Sequence, residues 1–169
     1  DRNSFDSGDW FNAIHWNCAD GNGFGRGLPP ATDNEAKWPH AKALLGAVRV
    51  GCAQIRGASA AYRDLLRIRT TEKAFSLDTV AQVQSALSFP LSGKDETPGV
   101  ITMKLGDLVV VFNATPDRRS QRLTVPGAGA YRLHPVQAAG ADRVVRTATY
   151  TKSTGTFQVP GRTVAVFTR

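Results

Sequence analysis

The 169-residue chain has one methionine, two cysteines and no tryptophan beyond Trp38. Cys18 and Cys52 allow at most one internal disulfide, and their spacing leaves open a bridge or two small, half-buried thiols. Neither belongs to a CxxC or Cys/His cluster, which argues against a structural zinc site. Long hydrophobic runs are lacking too. The longest, at 108–112, falls far below the about 20 residues that a membrane helix needs, so no membrane partner is expected. No signal-peptide pattern is visible, and the chain opens on Asp1 rather than methionine. It is therefore expected to start after processing, truncation or proteolysis. No compartment follows from the residues, although a secreted or periplasmic parent protein is compatible with them.

Acidic residues are the scarcer charge, 14 against 21 basic, giving a formal net charge of +7. The asymmetry is regional: residues 1–35 carry −4 and the remainder +11. The bases are scattered singly or in pairs, without runs of three and without interleaved stacking aromatics. That pattern reads as a solvated basic surface, so no nucleic-acid partner is expected. Hydrophobic residues make up 41% and charged residues 21%, an ordinary globular balance.

Three zones follow one another. Residues 1–35 hold Gly8, Gly21, Gly23, Gly25, Gly27, Pro29 and Pro30 together with Trp10, Phe11, Trp16 and Phe24. Glycine and proline argue for irregular backbone, whereas so much aromatic surface argues for a loop packed against something. Residues 33–77 read as helical. Asp33 or Asn34 can cap a short helix through 43–45 that Pro39 limits or kinks. A stronger helix is expected over 53–69, with Ala58, Tyr62, Leu65, Leu66 and Arg69 forming its core-facing stripe. From about Val80 the period changes. Strands are expected at 80–89, 99–105, 108–114, 120–125, 130–133, 144–150, 156–159 and 163–168, separated by Gly- and Pro-containing turns. Short strands at even spacing predict an antiparallel β-sandwich, making the fold mainly β with a helical N-terminal part.

The segment Asp1-Arg-Asn-Ser-Phe-Asp-Ser-Gly-Asp-Trp-Phe-Asn12 closely resembles the stretch that follows the last catalytic motif of pullulanases and limit dextrinases, the α-1,6-debranching members of the α-amylase superfamily. The resemblance continues through Gly27-Leu-Pro-Pro30, Asn34-Glu35 with Trp38-Pro39, and Leu65-Leu-Arg-Ile-Arg69. It is carried on by Val109-Val-Val-Phe-Asn-Ala-Thr-Pro116, Leu133-His-Pro-Val-Gln137 and Thr154-Gly-Thr-Phe-Gln-Val-Pro-Gly-Arg-Thr163. It thus covers essentially the whole chain in order. It implies that residues 1–77 end a (β/α)8 catalytic barrel and that 78–169 form the C-terminal β-sandwich behind it. A complete barrel takes roughly 250 residues, so this chain cannot hold one. By the same resemblance, the three catalytic acids lie upstream of Asp1 and the chain is inactive alone, with no cofactor and no metal. Its partners would be the missing barrel and, through the parent enzyme, an α-glucan. The parent reaction would be retaining hydrolysis by two carboxylates about 5–5.5 Å apart.

The resemblance also places residues 1–12 along the substrate cleft, with Phe5, Asp6, Asp9, Trp10 and Asn12 as substrate-binding candidates. Carboxylates and amides suit paired sugar hydroxyls, and aromatics suit the apolar face of a sugar ring. Phe5 stands where the family usually has tyrosine, so a phenolic hydrogen bond is lost there. Asp6 and Asp9 are not expected to be a catalytic pair. His15 and His40 have no acid and serine partners at readable spacing, and His134 reads as structural. The glycines from Gly21 to Gly27 have no strand before them and no helix directly after, which disfavours a phosphate cradle. The competing function is a non-catalytic carbohydrate-binding or interaction β-sandwich. Exposed aromatics would mark it, but Phe89, Phe112, Tyr131, Tyr150, Phe157 and Phe167 are expected to be buried by alternation.

Overall fold

The computed structural model describes residues 51–124 and 130–169, together with Ala36, Pro39 and Ala43. Two compact units divide the chain, Asp1–Ser59 and Ala60–Arg169. Among the described residues of the first is the start of helix α1 (Cys52–Thr71). The Gln54 side chain accepts from the Gly51 N–H at 3.1 Å, and Cys52 is disulfide-bonded, which decides between the two readings left open for it. The aromatic segment 1–35 and nearly all of the short helix expected before residue 46 lie outside the described residues.

Alanine, leucine and arginine are strong helix formers and dominate α1. Its buried edge is not the expected stripe. Ile68 is 1% exposed, whereas Tyr62 is 64% and Leu66 43% exposed. The inward face runs through Ala61, Asp64, Leu65, Ile68 and Glu72, which are buried or half-buried. That face is turned about 100°, one residue, from the predicted one. Two acids lie on it because each has a partner inside, and their polarity hid the face from a hydrophobic count.

The rest of the second unit is a two-sheet sandwich. A five-stranded sheet has the order β1-β2-β3-β8-β5 and a three-stranded one the order β4-β7-β6. The strands are β1 (Leu87–Ser88), β2 (Val100–Leu105), β3 (Leu108–Asn113), β4 (Arg119–Arg122), β5 (Arg132–Leu133), β6 (Thr149–Thr151), β7 (Thr156–Val159) and β8 (Thr163–Thr168). Every pairing is antiparallel. Register explains the layers. Val109 opposes Phe167 and Val111 opposes Ala165, and all four join the core between the sheets with Val100, Leu123, Tyr131, Phe157 and Val159. Val110 and its partner Val166 point the other way, against Ile68, with Phe75, Met103, Val136 and Val164 around them. The central strand is therefore covered on both faces, which is why 108–112 reads as an unbroken apolar run.

Two expected strands are corrected. Residues 80–89 form helix α2 (Val80–Ala86) followed by the two-residue β1. Thr79 and Gln82 make a reciprocal capping box: the Thr79 side chain accepts from Gln82 N, and Gln82 Oε1 accepts from Thr79 N. This satisfies two orphan donors of the first turn and outweighs the strand preference of two valines. At 144–150, Asp142 Oδ1 accepts from the Val144 N–H at 2.8 Å and bends the chain into a 3-10 turn at Val145–Thr147, leaving only Thr149–Thr151 to pair. Phe89 and Phe112 are not buried either, at 46% and 37% exposed. Phe112 lies on the outer sheet face, opposite Ile101, and Phe89 lies beyond the end of β1. No described helix is long and apolar enough to cross a membrane.

Candidate functional site: the helix–sheet junction

The substrate-binding candidates Phe5, Asp6, Asp9, Trp10 and Asn12 all lie outside the described residues, as do His15, His40 and the glycines 21–27. What is described is the junction fastening α1 to the outer face of the five-stranded sheet. There, β5 ends in Leu133 and the chain turns at His134 into the short helix α3 (Pro135–Ala138). His134 caps that helix. The residue is 5% exposed, and Nδ1 accepts the Val136 N–H at 3.2 Å. With Nδ1 accepting, Nε2 carries the proton and donates to Glu72 Oε1 at 2.9 Å. One imidazole thus ties the residue after α1 to the start of α3, and its reading as structural matches what it does.

Gln137 makes the second tie. It is 4% exposed, its Nε2 donates to the Val164 carbonyl at 2.7 Å, and its Oε1 accepts the Val166 N–H at 2.8 Å. β5 itself pairs only with Phe167 and Thr168 of β8, and His134 N–H reaches the Val166 carbonyl at 2.8 Å. Beyond that point the Gln137 side-chain amide takes the place of the peptide group that a longer β5 would supply. The sheet edge is satisfied without another strand.

Asp64 makes the third tie, its Oδ2 accepting the Ala141 N–H at 2.7 Å. The close approach depends on Gly140. A Cβ there would lie 2.6 Å from both Asp64 Oδ2 and the Val136 carbonyl. Beside it lies an open cavity of about 660 Å³, lined by Ala60, Arg63, Arg67, Pro135 and Ala139 among others.

A second junction closes the far end of the sandwich. Asn113, 2% exposed, donates through Nδ2 to the carbonyls of Asp117, Val159 and Pro160 at 2.8, 3.1 and 2.9 Å. Its Oδ1 accepts from Thr115 N and Oγ1 at 3.1 and 2.7 Å. Arg162 N–H reaches the Thr115 carbonyl at 2.9 Å, and a side chain at Gly161 would overlap the Pro116 carbonyl. Residues 109–116 and 154–163, distant in sequence, are stitched together here.

These arrangements hold elements in place and leave little free chemistry. Among the described residues no group of three or more His, Cys, Asp or Glu could hold a metal ion. The carboxylates of the first junction are engaged by a backbone amide and an imidazole. Sequence reasoning singled out His134 and the motifs around Asn113 and Gln137, but missed Asp64, Glu72 and Gly140. The pairings of these three span loops of unpredictable length, so only an acid on the inner helix face could have signalled them.

Comparison with known proteins follows the same lines. The family described as alpha-1,6-glucosidases, pullulanase-type, C-terminal, matches residues 19–169. The chain is 34% identical over 99% of its length to the chloroplastic pullulanase 1 of Arabidopsis thaliana, and 26% identical over 98% to a pullulanase of Klebsiella pneumoniae. It spans only 19% and 16% of those relatives. Among solved structures, an apo pullulanase from Klebsiella pneumoniae superposes with a TM-score of 0.72 at 24% identity, over 85% of this chain and 17% of that one. A maltotriose complex of the Klebsiella pneumoniae enzyme gives 0.72 at 23%, over 85% and 15%. The mainly antiparallel fold with its few helices is the one those structures share. The chain belongs to the pullulanase-type alpha-1,6-glucosidases and carries their C-terminal region.

Proposed function

We propose that the chain is the C-terminal part of a debranching hydrolase that cleaves α-1,6-glucosidic bonds of starch- or glycogen-like glucans, and that it completes and stabilises the catalytic barrel without supplying catalytic acids. Residues 1–77 would end the barrel and 78–169 would form the sandwich behind it. The observation that carries this reading is the two-sidedness of α1. Its inner edge is fixed by Ile68, Asp64 and the neighbouring Glu72, while Tyr62 and Leu66 face outward at 64% and 43% exposure. A helix that already has a core on one side and still presents a tyrosine and a leucine on another suits a second packing partner. The chain's 19% share of its plant relative leaves ample length for a barrel to be that partner. Residues Phe5, Asp6, Asp9, Trp10 and Asn12 would line the glucan cleft of the assembled enzyme. The maltotriose bound to the Klebsiella relative fits that class of substrate.

Co-producing the chain with the catalytic barrel of its parent enzyme tests the reading. Co-purification is expected for the native chain. For the double variant Tyr62→Asp, Leu66→Asp, recovery should drop by about tenfold or more, while the chain's own stability changes by no more than about 0.5 kcal/mol per site. Equal recovery of both chains, or no association of the native one, would overturn it.

A further inference from the structure

The geometry points to a glucan-binding subsite on the sandwich itself, at the free edge of β2 and separate from residues 1–12. The choice of ligand rests on the function proposed above. β1 pairs with Leu105 and Lys104 only, so the first half of β2 has no strand neighbour on that side among the described strands. The chain returns past this edge through Phe89, Leu91, Ser92 and Glu96. Together with Val100, Ile101 and Thr102 these enclose an open pocket of about 280 Å³. That is close to the lower end of the roughly 300–1,000 Å³ usual for small-ligand sites, a size for a sugar ring or two.

Its chemistry is mixed in the way that neutral sugars need. Phe89, 46% exposed, offers an aromatic face to the C–H side of a ring. The Glu96 carboxylate forms no ion pair among the described residues and can accept from vicinal hydroxyls. No lysine or arginine lines the pocket, which disfavours a phosphate or other anion. The platform is also held still. Ser92 Oγ and N–H both donate to the Phe89 carbonyl, at 2.8 and 3.2 Å, and Leu91 packs against the sandwich core. A preorganised turn lowers the ordering cost of binding a weak ligand. This pocket meets the criterion that a sugar-binding sandwich should expose aromatics, which the sequence, with Phe89 expected to be buried, did not.

The test is an NMR titration of the 169-residue chain with maltotriose and maltoheptaose. Binding on the order of 1 mM is expected, with shift changes centred on residues 89–102. Phe89→Ala should weaken it about tenfold and Glu96→Gln about threefold, whereas Phe89→Tyr, which keeps the platform and the fold, should stay within about twofold of the native chain. No binding at saturating sugar would overturn the subsite, as would affinity unchanged in Phe89→Ala. Binding that survives Phe89→Ala but vanishes in Asp6→Asn would move the sugar to the N-terminal segment. That result refutes the β2-edge site and leaves the proposed function standing.

Discussion

The two faces of the five-stranded sheet are built on different principles. The inner face is packed with aromatic and aliphatic groups: Phe157 lies 4.9 Å from Phe167, 4.6 Å from Tyr150 and 5.4 Å from Tyr131, ring centroid to ring centroid. On the outer face, the apolar cluster under α1 has three fully buried members among the described residues, Ile68, Val110 and Val166, and the hydrogen bonds of Asp64, Glu72, His134 and Gln137 are added to it. Apolar burial is strong but has no direction, so the inner face supplies cohesion. Hydrogen bonds contribute less net energy but fix position, so the outer face supplies placement. Under the function proposed above, α1 presents its far side to another domain, and such a helix needs placement more than depth of burial.

That contrast predicts a graded response to substitution. Phe157→Ala, on β7 and packed against the inner face in the core between the sheets, should cost about 3–5 kcal/mol and abolish the cooperative unfolding of the sandwich, as followed by denaturant titration. Asn113→Ala removes five hydrogen bonds at the end of the same face; the Asp117 and Pro160 carbonyls keep the Thr115 and Thr163 hydroxyls as donors, and about 2–3 kcal/mol should be lost. On the outer face, His134→Ala removes a cap and the Glu72 bond for about 1–2 kcal/mol. Its signature is local: amides of 64–72 and 136–141 should exchange faster while those of β3 and β8 stay protected. If His134→Ala instead deprotects both sheets equally, the division of labour is wrong. Tyr131→Phe is the smallest case. Its hydroxyl is buried without a hydrogen-bond partner among the described residues, so its removal should leave stability within about 0.5 kcal/mol of native or raise it slightly.

How legible these faces were depends on what each is made of. The strands at 99–105, 108–114, 156–159 and 163–168 could be read from alternation and turn residues because inner-face burial is a periodic signal. The outer face is written in single polar residues whose partners lie far along the chain, Asp64 with Ala141 and Glu72 with His134. Periodicity carries none of that, and the helix stripe was consequently misplaced by one residue. The helix over Val80–Ala86 was announced by Thr79 and Gln82, a local signal that the β-branched valines concealed. Phe89 was counted as buried because alternation was extended past the point where pairing stops, at Ser88. The cleft candidates Phe5, Asp6, Asp9, Trp10 and Asn12 came from resemblance alone, and no described residue bears on them.

The central claim is that this region places and supports a catalytic barrel but does no chemistry itself. Incubating the purified 169-residue chain with pullulan and following reducing-end release tests it most directly. The account predicts no turnover above buffer for the chain alone and hydrolysis once the barrel is supplied with it. Catalytic release of maltotriose by the chain alone would contradict it.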